Sequence, residues 1–308
     1  MLPPSYLTLP CGKLVLGVHN FVLGGARHSS LFLSRMATRA SAPVLKTAVA
    51  DFWNAEPCGT RYLSQSFDFE AHAAERYRLE PYIADFAQFS SSAGLRVLEI
   101  GVGMGADYSR WLQAGACATG IDISAESLSR AAERCRRMGL QPDLRQVDAE
   151  NLPFADSIFD VVYSYGVMHH SPDTERCIAE AWRVLKPGGS ARIMLYHHPS
   201  LTGLMLWLRY GLWRGQSVQR CVFERLESPG TKTFTRDEVL SLMSKFGDVR
   251  VRQVFSPGDL LLHSPSARFQ GRGYQLLWKL FPRRVVRALA KPLGLFLLIT
   301  ATKPARAS

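Results

Sequence analysis

Three glycines at alternate positions, Gly101, Gly103 and Gly105, follow a short apolar run and precede a segment with helical periodicity. The run Arg96–Ile100 is predicted to be a buried strand, and Ala106–Ala114 a helix. Glycine has no Cβ, so a strand–loop–helix unit of this kind can turn tightly and let its backbone approach a ligand. The feature therefore predicts a sheet with a cofactor loop at one end of its strands.

The chain from residue 96 to 196 alternates predicted strands with predicted helices. Further strands are predicted at Cys117–Ile123, Asp143–Val147, Ile158–Ser164 and Ala191–Tyr196, and further helices at Ala125–Met138 and Pro172–Leu185. Such alternation is typical of parallel strands joined by crossover helices. The strands are largely apolar, which suits a sheet that is covered on both faces.

Less regular segments flank this core on both sides. Helices are predicted at Ala48–Trp53, Ala71–Phe89, Leu201–Trp213 and Arg236–Phe246, strands at Val249–Val254 and Leu295–Thr302, and a basic amphipathic segment at Tyr274–Ala290. The predicted organisation is a flexible N-terminal extension (1–45), a helical cap (46–94), a cofactor-binding core (95–198), a helical lid or substrate region (199–247) and the final strands with the basic helix (248–308).

Positive charge is concentrated at the two ends of the chain. The net charge is +11, residues 1–50 contain no Asp or Glu, and no acidic residue follows Asp259. This distribution leaves the ends as candidates for contact with anionic surfaces and does not favour a nucleic-acid groove across the central region. The segment Tyr274–Ala290 fits either an interfacial membrane helix or a helix packed on the sheet with a basic solvent face.

Cysteine spacing and hydropathy indicate the redox compartment of the protein and its relation to membranes. The six cysteines lie far apart, with no C-x-x-C pair and no zinc-like spacing with His. A reducing compartment and no metal site are therefore predicted. The longest apolar stretches are too short to cross a bilayer. We expect a cytoplasmic protein, with peripheral membrane contact left open, and the sequence gives no indication of oligomeric state.

The first 35 residues lack acidic side chains and clear periodicity. They fit an organellar presequence, an extension without structural role, or a region upstream of a true start at Met36. Organellar targeting is therefore also left open.

The glycine loop fits two kinds of cofactor. Gly101, Gly103 and Ala106, with Asp122 about 20 residues onward, satisfy the dinucleotide fingerprint. Glu99, however, places a carboxylate beside the ligand, which suits a cationic sulfonium better than a pyrophosphate. An NAD(P)-dependent oxidoreductase and a non-catalytic subunit of the same fold remain alternatives to a transferase.

An ordered series of motifs resembles the class I S-adenosylmethionine-dependent methyltransferases, above all the branch with the ubiquinone, menaquinone and sterol methyltransferases. The series comprises Val97–Gly105, Gly120–Asp122, Asp148–Phe154, Phe159–Tyr163 and Val184–Gly189. The resemblance implies a Rossmann-like α/β fold: a mostly parallel sheet with an antiparallel last strand, helices on both faces, N-terminal helices and a helical lid insertion. It also implies S-adenosylmethionine as cofactor.

The resemblance assigns a contact with the cofactor to one group of residues. These are Glu99, Gly101, Gly103 and Gly105 for the methionine part, Asp122 for the ribose, Ile123 against the adenine, Asp148 and Ala149 for the adenine amino edge, and Ser164 or Tyr165 for the methionine amino group.

Two adjacent histidines are candidates for a general base. His169 and His170 follow the fourth strand, where the resemblance places the acceptor pocket, and histidine exchanges protons near neutral pH. His197 and His198, at the end of the fifth predicted strand, are competing candidates.

The methyl acceptor is predicted to be a small, hydrophobic or lipid-like molecule. Tyr77, Trp207, Trp213 and Phe223 suggest an apolar lid, although each could instead pack only its own segment. The Pro-Pro-aromatic motif of amino-group base methylases is absent at Ser164–Val167, so nucleic acid is not favoured as the acceptor.

Overall fold

The computed structural model describes residues 42–55, 68–262, 276 and 278–305. The predicted presequence, Met36 and the Tyr274 end of the basic segment lie outside the described residues.

The described strands form one seven-stranded sheet in the order β3-β2-β1-β4-β5-β7-β6. They are β1 Arg96–Ile100, β2 Cys117–Asp122, β3 Asp143–Gln146, β4 Phe159–Tyr165, β5 Leu185–Tyr196, β6 Gly247–Val254 and β7 Phe296–Thr302. Neighbours from β3 to β5 pair in parallel, whereas β7 pairs antiparallel with both β5 and β6. The predicted Rossmann-like sheet with an antiparallel last strand is confirmed.

Each face of the sheet has its own hydrophobic core, because successive strand residues point to opposite faces. Leu98 and Val162 belong to one cluster, while Val97, Val161 and Tyr163 belong to the other. Helices contribute to both clusters. The described α-helices are α1 Ala42–Ala55, α2 Phe69–Leu79, α3 Ile83–Ala87, α4 Ala106–Gln113, α5 Ala125–Arg137, α6 Thr174–Val184, α7 Leu201–Leu206, α8 Val218–Arg225, α9 Arg236–Leu242 and α10 Arg283–Leu289.

Helix starts follow the capping chemistry of the sequence. The Ser124 side chain accepts from the backbone N–H of Ser127 at the start of α5. Thr235 and Glu238 form a reciprocal capping box at the start of α9. Within the part of the chain that the structure describes, no helix has both the length and the apolar character to cross a membrane.

Several predicted helix bounds are wrong. The single helix predicted over Ala71–Phe89 is two helices, because Pro81 cannot continue α2 beyond Leu79. The helix predicted over Leu201–Trp213 is regular only to Leu206 and continues as a π-helical turn, Trp207–Gly211, and a 3-10 turn, Leu212–Arg214.

Two further bounds shift at the ends of the core. Helix α1 begins at Ala42, six residues before its predicted start, within the segment assigned to the extension. The Lys186–Gly189 segment, which follows the predicted helix Pro172–Leu185, is part of β5 rather than a connection to it.

A buried ion pair fixes α2 to α4. Arg76 donates to Asp107 from Nε at 3.1 Å and from Nη2 at 2.6 Å. The hydroxyls of Tyr77 and Tyr163 donate to the same carboxylate at 2.9 and 2.8 Å. Burial raises the pKa of Asp107, but Arg76 and these hydroxyls outweigh it and leave the pKa below its usual value. Asp107 is therefore ionised in the folded protein.

The glycine loop joins β1 to α4 in a conformation that other residues rarely adopt. Gly101 has φ +80° and Gly105 has φ +74°. A Cβ at position 101 would overlap the Val167 side chain, and one at position 105 would lie 2.9 Å from Ala131 Cβ. The loop therefore needs glycine for both its backbone angles and its close packing.

We predict that Asp107→Ala lowers the free energy of unfolding by roughly 3–5 kcal/mol, because it leaves Arg76 buried without this carboxylate. Urea denaturation measures the change. Arg78→Ala is the matched control, since Arg78 is exposed and pairs with Glu75 at 2.7 Å; its loss should be under about 1 kcal/mol. Equal losses in the two variants would contradict the role of the buried pair.

A second prediction separates the two reasons for glycine at position 101, which are its positive φ angle and its close packing against Val167. Gly188 has φ +79° and no atom near its missing Cβ, so Gly188→Ala should show only the backbone strain, about 1–2 kcal/mol. Gly101→Ala should lose roughly 1–3 kcal/mol more from overpacking against Val167. In urea denaturation, Val167→Ala should rescue part of the Gly101→Ala loss; no rescue would show that this contact is not limiting.

Candidate active site

A cavity of about 1110 Å³ opens where the parallel strands end. Residues at the carboxyl ends of β1, β2 and β4 line it, including Gly101, Asp122 and Tyr165. Open parallel sheets bind ligands at this edge, because the loops that follow adjacent strands diverge there. The cavity is therefore the candidate active site.

Most of the predicted cofactor residues line this cavity. They are Glu99, Gly101, Gly103, Asp122, Ile123, Asp148, Ala149 and Tyr165. Gly105 and Ser164 are not part of the lining. Gly105 instead packs on α5 through Ala131, and the Ser164 Oγ is buried without a hydrogen-bond partner.

Glu99 brings a buried carboxyl group to the cavity wall. Its side chain is 3% exposed, and its Oε2 has no hydrogen-bond partner. Burial and the negative charge of Asp107 raise the pKa of Glu99, while Arg76 opposes the rise. A buried carboxyl of this kind would be satisfied by a ligand that presents a positive charge or a hydrogen-bond donor.

Asp122 is held at the end of β2 by two backbone groups. Its Oδ2 accepts from the N–H of Gly103 at 2.9 Å, and its Oδ1 accepts from the N–H of Ser124 at 2.9 Å. Burial raises the pKa of Asp122, and these N–H groups oppose the rise. The two bonds orient the carboxylate, and each oxygen keeps a lone pair for a ligand hydroxyl.

Helix α1 closes one side of the cavity, which the sequence analysis did not predict. Lys46 contacts Asp148 at 2.6 Å and Glu150 at 2.5 Å. At the other end of α1, Asn54 Oδ1 accepts from Ser124 Oγ at 2.8 Å. The predicted adenine-edge residue Asp148 is thus already engaged by a lysine 102 positions away, and no local sequence signal could reveal that pairing.

His170 lies in the cavity wall in a defined hydrogen-bonding arrangement. Its Nδ1 lies 2.9 Å from Ser228 Oγ and 3.0 Å from Thr231 Oγ1. Thr231 Oγ1 donates its one proton to the Ser228 carbonyl at 2.8 Å, so it can only accept from His170. The contact with Thr231 favours the neutral tautomer of His170 that carries its proton on Nδ1 and a lone pair on Nε2.

The lid supplies a carboxylate to the same imidazole. Glu227 Oε2 lies 3.3 Å from His170 Nε2 and accepts from the Tyr196 hydroxyl at 2.8 Å. A carboxylate at this distance stabilises the positive charge that the ring gains with a proton. Sequence reasoning missed Glu227, which is 57 positions from its partner in a segment without a motif.

His169 has a different environment from His170. It is fully buried, does not line the cavity and stacks on Tyr196 with ring centroids 3.8 Å apart. Burial lowers the pKa of His169 well below its usual value, so the ring is neutral. Both its ring nitrogens lack hydrogen-bond partners. One of them lies within 4.8 Å of a ring nitrogen of His170 and a carboxylate oxygen of Glu227, and these three atoms are of the kinds that bind metal ions.

His197 and His198, the competing candidates, do not line the cavity. The Nδ1 of His197 lies 2.7 Å from Gln253 Nε2, and the N–H of His198 donates to the Phe234 carbonyl. The His197 side chain thus contacts β6 through Gln253, and the His198 backbone pairs with Phe234.

The part of the cavity beyond the glycine loop is lined by the lid and by apolar side chains. Met205, Leu206 and Leu208 of the lid face Met194 and Phe296 of the sheet. The four residues predicted to form an apolar lid are not part of the lining. Tyr77 bonds Asp107, Trp207 donates to the Gln216 carbonyl within its own segment, and Trp213 and Phe223 are exposed.

Comparison with known proteins finds similarity over the central part of the chain. Residues 98–193 match the family model described as a methyltransferase domain. A phosphatidylethanolamine N-methyltransferase of Cereibacter sphaeroides is 42% identical over 106 residues, which are 34% of this chain and 52% of that protein. A ubiquinone biosynthesis O-methyltransferase of Methylococcus capsulatus is 38% identical over 118 residues, 37% of this chain and 49% of that protein.

Solved structures share the fold at low sequence identity. The geranyl diphosphate C-methyltransferase of Streptomyces coelicolor, solved with S-adenosyl-L-homocysteine, has TM-score 0.57 and 16% identity, covering 84% of this chain and 98% of that chain. A Haemonchus contortus phosphoethanolamine N-methyltransferase, also with S-adenosylhomocysteine, has TM-score 0.56 and 20% identity, covering 83% and 60%.

The chain spans about half the length of the curated relatives it matches. The family-model match begins within β1 and ends within β5. Over residues 98–193, the chain thus matches the methyltransferase-domain family, and its fold is shared by methyltransferases solved with S-adenosylhomocysteine.

Proposed function

We propose that the protein transfers a methyl group from S-adenosylmethionine to a small hydrophobic or lipid-like acceptor. One observation carries the proposal: a single cavity is lined both by Glu99, Gly101 and Asp122 and by His170 and apolar lid residues. Two reactants held in one enclosure react as a near-unimolecular pair. The printed names of the relatives, a phosphatidylethanolamine and a ubiquinone-pathway methyltransferase, agree with an acceptor of this class.

The residues present fit the cofactor. Glu99 would hold the positively charged methionine end, the backbone at Gly101 and Gly103 would border it, and the oriented carboxylate of Asp122 would bind the ribose hydroxyls. Ile123 and Ala149 would contact the adenine, and Asp148 its amino edge. Tyr165 would contact the methionine amino group in preference to Ser164, because Tyr165 lines the cavity and Ser164 does not. When bound, S-adenosylmethionine supplies a methyl group activated on a positively charged sulfur.

Calorimetric titration tests the cofactor assignment against its alternatives. S-adenosylhomocysteine should bind the purified protein, and NADH should not. Binding of NADH alone would favour an oxidoreductase, and binding of neither would favour a non-catalytic subunit. Tritiated S-adenosylmethionine with cell extract then tests the acceptor class, since label should enter the organic phase; label found only in polar metabolites or protein would overturn the lipid-like acceptor.

Glu99 makes cofactor affinity depend on pH. Below its raised pKa the free carboxyl is protonated, so binding a positively charged amino group must release that proton. The affinity for S-adenosylhomocysteine should therefore rise as the pH passes upward through this pKa and then level off. Asp107 does not contribute, because its lowered pKa keeps it ionised over that range.

Glu99→Gln is the matched variant for this prediction. It keeps the side-chain volume but cannot ionise, so its affinity should be weaker at high pH and show no such rise. Calorimetric titration over a pH series measures both proteins. A wild-type affinity that does not change with pH would show that Glu99 does not contact the positively charged amino group.

We assign the acid–base role to His170, with Glu227 as a positioning residue. The lone pair on His170 Nε2 would accept the proton that the acceptor loses on methylation, and the Glu227 carboxylate at 3.3 Å would stabilise the resulting imidazolium. His169 would support the loop, because it stacks on Tyr196 behind His170 and is not in the cavity lining.

His170→Ala should slow turnover about 100-fold or more, with nearly unchanged affinity for S-adenosylhomocysteine. Glu227→Gln should lower kcat less and shift its pH profile, because a neutral amide cannot stabilise the imidazolium. His198→Ala is the matched control and should turn over normally. Equal turnover rates in His170→Ala and wild type would exclude His170 as the general base. Loss of wild-type activity in the presence of a chelator would instead indicate that His169, His170 and Glu227 bind a metal ion.

A further inference from the structure

The lid presents apolar side chains to solvent. Leu204, Leu208 and Leu212 follow one another four positions apart along residues 201–214 and are 41%, 48% and 42% exposed. Trp213 beside them is 87% exposed. Residues spaced by four share one face of a helix, so these leucines form a continuous stripe. A stripe of this kind in a soluble helix would normally face the core.

The inner face of the same segment is built from small residues. Gly203 and Gly211 are buried, and Cβ atoms at these positions would approach Val218 and Cys221 of α8 closely. Trp207, between them, donates its indole N–H to the Gln216 carbonyl. The glycines therefore pack against α8 while the leucines are exposed. A helix buried in its own domain normally has the opposite pattern, with its large apolar side chains turned inward.

The exposed charge within the lid segment is positive. Residues 201–223 contain no Asp or Glu, and Arg209 and Arg214 are exposed. Arg220 is also exposed but pairs with Glu224 at 2.8 Å. An apolar stripe with Arg209 and Arg214 beside it matches the interface of an anionic bilayer, where the apolar side chains enter the acyl boundary and the cations meet the head groups.

A second segment has the same character. Leu276, Leu280, Val285 and Leu289 are 58%, 70%, 54% and 78% exposed, and no acidic residue follows Asp259. Arg283 of α10 donates to the Leu261 carbonyl at 2.8 Å. Leu208 and Leu261 both line the cavity, so the lid borders it and α10 is attached to its wall.

We propose that these two segments, named here the lid surface (residues 201–214 and α10), dock the protein on an anionic lipid bilayer with the cavity facing the membrane. The charge complementarity and the position of Leu208, both exposed and in the cavity lining, favour this partner. A lipid-like acceptor would then reach His170 without crossing water. The inference goes beyond the proposed function, because docking requires neither cofactor nor turnover.

Vesicle co-sedimentation of the full chain tests the proposal. The protein should bind vesicles of phosphatidylcholine mixed with phosphatidylglycerol, bind phosphatidylcholine alone more weakly, and dissociate as salt is raised. The double variant Leu212→Ser/Trp213→Ser should bind the mixed vesicles at least about tenfold more weakly, since each large side chain loses its burial in the bilayer. Arg214→Glu should weaken binding by about fivefold or more.

Controls separate docking from folding and from catalysis. Met138→Ser removes an equally exposed side chain, 41%, from the end of α5 and should bind vesicles as wild type does. Val285→Ser/Leu289→Ser tests α10 independently. All variants should keep the wild-type affinity for S-adenosylhomocysteine, which shows that they are folded and that a failure of docking is distinct from a failure of cofactor binding.

Three outcomes would overturn the proposal. The first is no binding to anionic vesicles, and the second is equal binding by wild type and both double variants. The third is a dimer in sedimentation velocity that Leu212→Ser/Trp213→Ser dissociates, because a second copy of the chain would then cover the lid surface.

Discussion

The buried pair between Arg76 and Asp107 is the interaction on which the arrangement of the active site depends. Taking two charges out of water is costly, and it is tolerated here because two nitrogens and two tyrosine hydroxyls converge on one carboxylate. The pair joins the helical cap to the first helix of the core directly behind Glu99. The negative charge of Asp107 also helps to keep Glu99 protonated when no cation is bound. A single contact thus fixes the cap and sets the electrostatics of the cofactor end.

The cavity and the protein surface have opposite electrostatic character. The chain carries a net charge of +11, yet Glu80, Glu99, Asp122, Asp148 and Glu227 all line the cavity. Burial raises the pKa of Glu80 to about 7, against the opposing effect of Arg76. Exposed cations are spread over the surface and include Arg214 of the lid and Arg284 and Arg287 of α10. The interior is therefore suited to a positively charged cofactor, and the rim to an anionic surface.

The sequence predicted those parts of the structure that depend on short-range pattern. Alternating apolar strands and helices determine the parallel sheet, and the positive φ angles at Gly101 and Gly105 explain why the glycine loop is recognisable. The pairing of Lys46 with Asp148 and of His170 with Glu227 could not be predicted, because each joins residues that lie far apart in sequence and belong to no common motif. The break after Leu79 could have been predicted from Pro81, which ends a helix by losing its N–H donor.

The lid shows why hydrophobic periodicity alone misassigns such segments. An apolar helix was predicted over Leu201–Trp213, and the pattern is compatible with a buried helix, a lid over a pocket or an interfacial helix. Periodicity records which residues share a face, but not what covers that face. The glycines orient this segment, because a Cβ at Gly203 or Gly211 would crowd Val218 or Cys221 of α8. With that side packed on α8, Leu204, Leu208 and Leu212 are left exposed, and the proposed bilayer would cover them.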